Sequence, residues 1–171
     1  MESPYKKEIF ELARSHKQQL FYNSSAEHAA IVHQAIMCYA QEYVNIFSSA
    51  LCTEISNNEE YCEMTEQFLM RNPSHKIDIV LTDYCKEYEG YPIYKVLRKY
   101  PMQVRIRTYK GKAMLDGKEI HFTVSDDRAF RVETDIDEHM AFGNFNSPTQ
   151  ANNLKEAFNK VFNQSEVCLL S

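Results

Sequence analysis

The sequence predicts an α/β domain built on a mixed β-sheet flanked by helices on both faces. Three observations carry this reading. Helical and strand-like segments alternate through the first half, as βαβ crossovers require. The stretch Glu119–Asn146 is dense in short strands, and a helical pattern beginning at Ser147-Pro148 closes the chain. With 171 residues there is enough chain for one domain with a real core, and too little for two comfortable ones.

Taken in order, Ser3-Pro4 supplies an N-cap and first-turn pair for a helix through roughly Gln19, with Ile9, Phe10, Leu12, Ala13 and Leu20 as its apolar stripe. This N-terminal helix, residues 1–20, is set apart from the domain proper, 21–171; it packs on the domain or exchanges with a partner subunit. Ser24 with Glu27 reads as a capping box for a helix to about Gln41. Tyr43–Phe47 reads as a short buried strand, and Ala50–Cys52 as the opening of a turn or short helix. Asn57-Asn58-Glu59-Glu60 starts a helix that Asn72-Pro73 stops. Lys76–Leu81 is a strand, and Pro92 starts a helix to Arg98. Gln103–Arg107 alternates with period two. Asp116-Gly117 is a hairpin signal. His121–Val124 and Phe130–Val132 flank the turn Ser125–Arg128, and Met140–Phe145 is the last strand. Ala151, Leu154, Ala157, Phe158 and Val161 then stand at helical spacing.

Composition narrows the function classes. No run of about 18 apolar residues is present, which argues against a membrane span. The charged N-terminus lacks the apolar core of a secretory signal. Five scattered cysteines with no C-x-x-C pair indicate neither a zinc site nor a disulfide framework, so a cytoplasmic location is expected. A net charge of −5 argues against wholesale coating of nucleic acid but leaves room for a local basic patch.

The candidate site lies on the strand pair at 121–133. His121, Thr123 and Ser125 share one strand face, and Arg131 and Glu133 share another. Hairpin pairing brings the two rows together. A histidine beside an arginine, a glutamate and hydroxyls can bind a phosphate or transfer protons. The plainer reading is a solvated sheet edge with Arg131 and Glu133 as an ion pair. A second candidate is the run Lys95–Lys112, which has seven Lys or Arg, no acidic residue, and interleaved Tyr94, Tyr100 and Tyr109. Arg105, Arg107, Lys110 and Lys112 are its candidate phosphate-backbone contacts; a solvated helix and strand end is the alternative. The acidic, tyrosine-rich stretch Asp83–Tyr91 reads as a surface loop. His28 and His33, five apart, point to different helix faces. His139 follows the acidic run Asp135–Glu138, which reads as a loop or a cation holder.

His121-Phe122-Thr123, followed by Asp126-Asp127 and the strand Phe130–Val132, resembles the phospholipase D superfamily repeat. That signature is His-x-Lys, an Asp five residues after the Lys, then Gly-Ser and an Asn. The order of elements from Phe21 to Asn163 is similar as well. The resemblance implies that His121 stands at the nucleophile position and that Thr123 and Asn144 are binding positions. It also implies departures. Thr123 replaces the lysine that would stabilise transition-state charge. Asp126 and Asp127 fall early, with Arg128 at the Asp position. Arg131–Thr134 stands where Gly-Ser is expected, and Glu133 repels a phosphodiester. The family site uses two signatures and this chain has one, which implies a two-fold homodimer.

The reading that follows is a degenerate phospholipase D-like domain without hydrolytic activity, a homodimeric binding or regulatory module for nucleic acid or another phosphate-containing ligand, with no cofactor and no metal. The alternatives are a dimeric metal-independent nuclease or phosphodiesterase using His121 with Arg131, and a structural subunit with a protein partner in a larger bacterial or phage defence complex.

Overall fold

The computed structural model describes residues 1–51 and 54–170. The elements are α1 (Pro4–Ser15), β1 (Leu20–Asn23), α2 (Ala26–Tyr39), β2 (Tyr43–Ser48), α3 (Glu59–Arg71), β3 (Lys76–Leu81), a 3-10 turn (Lys86–Gly90), α4 (Pro92–Arg98), β4 (Val104–Thr108), β5 (Ala113–Leu115), β6 (Lys118–Ser125), β7 (Ala129–Asp135), β8 (Met140–Asn144), α5 (Pro148–Gln164) and β9 (Glu166–Cys168). Among the described residues the strands form one mixed sheet in the order β1-β8-β7-β6-β2-β3-β4-β9, with β5 on the side of β6. β2, β3 and β4 are parallel, and α3 and α4 are their crossovers. The remaining pairings are antiparallel. This is the mixed, two-face-covered sheet that the alternation predicts.

The two faces have separate cores. Helices α1 to α4 cover Val44, Ile46, Ile77, Ile79, Leu81 and Ile106. α5 alone covers the other face, where its Phe158 and Phe162 meet Phe47, Val80, Phe122, Phe130 and Val132. Burying one such phenylalanine contributes about 1.5–3 kcal/mol. Period-two alternation therefore sends Phe122 and Val124 of β6 toward α5, and His121 and Thr123 toward the four-helix face.

Local chemistry accounts for the boundaries. Asn58 caps α3 by accepting from the Tyr61 amide at 3.2 Å. Ser25, not Ser24, caps α2, its Oγ accepting from the His28 amide at 3.1 Å. α1 stops at Ser15 because His16 turns left-handed, at φ 51°, so the helix falls short of Gln19. Leu20, expected in that helix's stripe, is in β1 and 44% exposed. Ile9, Leu12 and Ala13 of α1 are buried in the main core, so this helix packs on the domain of its own chain. At the Asp116-Gly117 hairpin both residues have positive φ, as a two-residue turn of this kind requires. Of the turn expected at Ala50–Cys52, Ala50 and Leu51 are buried, and Cys52 lies outside the described residues.

Candidate functional site

β6 and β7 are interior strands, flanked by β2 and β8, and helices cover the face that carries the polar row. A solvated sheet edge is therefore excluded. His121 is 7% exposed, Arg131 3% and Glu133 5%, with Thr123 and Ser125 also buried. The register pairs His121 with Glu133 and Thr123 with Arg131, so the two rows meet as hairpin pairing predicts. His121, Thr123, Arg131 and Glu133 line a cavity of about 70 Å³ beyond the carboxyl end of β2, where ligands of open α/β sheets bind. Ser48 and Ser49 at the end of β2, Ser56, Tyr61 of α3, His33 of α2, and Ile136 and His139 of the β7–β8 turn complete its walls.

Arg131 is the hub. Its Nη2 donates to Glu133 Oε2 at 2.8 Å, its Nε to Asn23 Oδ1 at 3.0 Å, and its Nη1 lies 3.3 Å from His33 Nε2. That last contact needs His33 Nε2 as acceptor, hence a neutral ring. The electrostatics agree: burial first, then the Arg131 charge, hold His33 down at about 3. Asn23 also donates to the His139 carbonyl at 2.5 Å, fastening the β7–β8 turn.

Glu133 faces two imidazoles. Its Oε1 is 3.7 Å from His121 Nδ1 and its Oε2 is 3.5 Å from His139 Nδ1. Burial alone would raise its carboxyl, but the His121 contact and the Arg131 guanidinium outweigh burial and bring it down to about 2. The site thus holds one carboxylate, one guanidinium that cancels it, three imidazoles and several hydroxyls. Such a set can orient an anionic group and move protons through imidazole.

The other predicted residues are placed elsewhere. Asn144 is in register with Phe130, on the face covered by α5, and its Oδ1 accepts from the Asn146 amide at 3.0 Å. Arg105 pairs with Asp78 at 2.6 Å and Lys112 with Glu119 at 3.0 Å. Arg107 donates to the Phe162 carbonyl at 3.1 Å, at the end of α5. Both arginines lie over the Phe162 ring, on the face opposite the cavity. Lys110 is exposed. Asp126 and Asp127 fix the chain rather than a ligand. The Asp126 carboxylate accepts from the amides of Gln41, Glu42 and Tyr43, and Asp127 binds the Tyr43 hydroxyl and Lys155. In the acidic run, Asp135 Oδ1 accepts from the Glu138 amide, closing the turn on itself. The exposed Asp135, Asp137 and Glu138 leave His139 to face Glu133 instead.

Sequence reasoning passed over Asn23, set His33 aside as facing away from His28, and assigned His139 to an acidic loop or cation holder. Asn23 and His33 reach Arg131 across 108 and 98 residues of chain, a relation that no local spacing encodes.

A family model described as a domain of unknown function, DUF7931, matches residues 25–169. No curated protein matches the sequence. Among solved structures, TrmBL2, an archaeal chromatin protein described as showing a novel mode of DNA binding, superposes with a TM-score of 0.63 at 12% identity. The match covers 95% of this chain and 61% of TrmBL2, so this chain spans less than two thirds of that protein. Nuc of Salmonella typhimurium, a phospholipase D family member, gives 0.58 at 12% identity, covering 89% of this chain and 97% of Nuc. NucT of Helicobacter pylori gives 0.60 at 13% identity, covering 89% and 99%. The fold is phospholipase D-like, as the resemblance implies.

Proposed function

The chain belongs to the DUF7931 family, and from that premise we propose that it is a phospholipase D-like module that holds a phosphate-bearing ligand, nucleic acid foremost, without cleaving it. One observation carries the reading. Arg131 is the only Lys or Arg among the described residues lining the cavity, and each of its three nitrogens is engaged by Asn23, His33 or Glu133. With Thr123 beside it in register, the described lining residues offer no uncommitted lysine or arginine to meet charge that develops on a phosphoryl oxygen. The DNA binding ascribed to TrmBL2 favours nucleic acid as the first ligand to try. Arg105, Arg107, Lys110 and Lys112 are the proposed outer contacts. The Arg105–Asp78 pair has its arginine 61% exposed, so it is cheap to exchange for a phosphate.

The test is incubation of the pure protein with labelled single- and double-stranded nucleic acid, with and without EDTA, followed by anisotropy and gel analysis. Salt-dependent binding of intact strands is expected. Cleavage that His121→Ala abolishes would overturn the reading. A two-fold homodimer belongs to the same proposal, and light scattering that returns a monomer mass at micromolar concentration would remove it.

A metal-independent nuclease or phosphodiesterase is the second reading. It is favoured by the Glu133 carboxylate, which stands where it would orient His121 through Nδ1 and leave Nε2 to act.

A further inference from the structure

β1 is the outermost strand of the sheet, and beside it lies a second recess, a groove of about 500 Å³. That is within the range of about 300–1,000 Å³ that small-molecule sites occupy. Its walls hold no Lys, Arg, Asp or Glu among the described residues, and they are rich in rings. Tyr5 comes from the first turn of α1 and His28 from the first turn of α2; the two rings are stacked, with centroids 3.8 Å apart and planes 14° from parallel. The Tyr5 hydroxyl donates to the Tyr22 carbonyl at 2.8 Å, which fixes this stack to β1. Tyr22 and Phe142 of β8 are partners in register. Tyr22 stands out among them. It is 66% exposed, on a strand where Phe21 and Asn23 are buried. Its ring has no aromatic partner, and its hydroxyl no hydrogen bond, among the described residues. Met140, 47% exposed, lines the groove with it. A solvent-open tyrosine held on a strand, among further rings and a thioether, is the kind of surface on which a planar base stacks.

The groove shares a wall with the cavity. Glu133 and His139 line the cavity, and the next residues along the chain, Thr134 and Met140, line the groove. Asn23 also lines the groove and reaches through the wall: its Oδ1 accepts from Arg131 Nε at 3.0 Å, and its Nδ2 donates to the His139 carbonyl at 2.5 Å. A phosphate held in the cavity therefore lies one wall away from these rings. A duplex keeps its bases stacked and paired inside; an unpaired strand can turn one outward.

We propose that this groove is a base-stacking site, in which Tyr22 takes the face of an unpaired nucleobase while the adjoining cavity holds a phosphate of the same strand. The proposal rests on the reading above that the chain holds nucleic acid. It adds the form of the ligand: a strand that can offer an unpaired base.

The probes are a labelled oligothymidine and an abasic strand of the same length, titrated against the full chain by anisotropy at one salt concentration. The abasic strand keeps the phosphates and lacks the rings. Oligothymidine is expected to bind about ten-fold or more tighter than the abasic strand. Tyr22→Ala should take away most of that advantage and leave binding of the abasic strand unchanged. The chain has no tryptophan, so Tyr22→Trp keeps a ring in place and adds a single reporter. Its emission should be quenched by oligothymidine and not by the abasic strand. Should Tyr22→Ala disturb folding by circular dichroism, the Tyr22→Trp emission decides. Equal affinity for the two strands, an oligothymidine affinity unchanged by Tyr22→Ala, or no quenching of Tyr22→Trp while the strand binds, overturns the groove and leaves the nucleic-acid reading standing. If Tyr22→Ala changes the mass by light scattering and not the affinities, the groove seats a second copy and the proposal falls. Binding of neither strand overturns both.

Discussion

Arg131 and Glu133, two positions apart on β7, close a 2.8 Å ion pair with side chains only 4% and 7% exposed. Such a pair lies at the centre of the cavity wall, and its cost of assembly is desolvation. Removing one partner strands the other. Arg131→Met alone is expected to destabilise the domain by about 3–5 kcal/mol, and Arg131→Met with Glu133→Leu to recover most of that. Urea denaturation of the two variants at neutral pH checks this. A double variant no more stable than the single one would mean that the pair's neighbours, not its charges, hold β7.

Acid should loosen the fold in two stages with the same sign. Unfolded His33 takes up a proton near its ordinary 6.5, but folded His33 not until about 3. The unfolded chain therefore binds more protons in between, and stability falls as pH drops through that window. Glu133 is lowered from 4.5 to about 2, so the stability it contributes is present above 4.5 and lost as pH falls toward 2. His33→Gln keeps an acceptor for Arg131 and should remove the part of the slope above pH 4.5. Urea midpoints of the two proteins across pH 7.5 to 4.5 decide it, and parallel curves would count against the assignment.

Asp126 should matter to stability and not to ligand binding. Its carboxylate accepts from three consecutive backbone amides at 2.8, 2.8 and 3.2 Å, where the chain enters β2. Its backbone is left-handed at φ 55°, which asparagine tolerates well. Asp126→Ala is expected to cost on the order of 2 kcal/mol or more, and Asp126→Asn distinctly less. Thermal unfolding gives the ranking, and an equal loss in both variants would point to the charge rather than the acceptor geometry.

On the basic strip, Arg107 is a poor choice for mutation because it holds the end of α5. Arg105→Glu with Lys110→Glu is the cleaner change. Nucleic-acid affinity at low salt should fall at least about ten-fold, and the slope of affinity against salt should flatten. Anisotropy with a labelled oligonucleotide measures both; an affinity equal to that of the unmodified chain would place the contact elsewhere.

Much of this architecture was legible because periodicity and caps are local. Asn58, Pro92, Asn72-Pro73 and Asp116-Gly117 mark boundaries by their own chemistry, and alternation in β6 separates Phe122 from His121. The short strands β1, β5 and β9 were not, since three or four residues carry too little pattern and are strands by virtue of their neighbours. At the site, His121, Arg131 and Glu133 could be read together because they sit on one hairpin. Their burial could not be, because it depends on β2 and β8 enclosing that hairpin and on helices packing over it. The Lys95–Lys112 run shows the same limit of local pattern: free of acids along the chain, two of its cations meet Asp78 and Glu119 once β3 and β6 are in place.

Asn23 stands on the outermost strand of the sheet, yet its one amide group grips both the guanidinium and the carbonyl of the turn that walls the cavity. The periphery is thereby wired to the interior. Amide exchange along Leu20–Asn23 becomes a remote gauge of what the pocket contains, readable without any probe placed in the pocket itself.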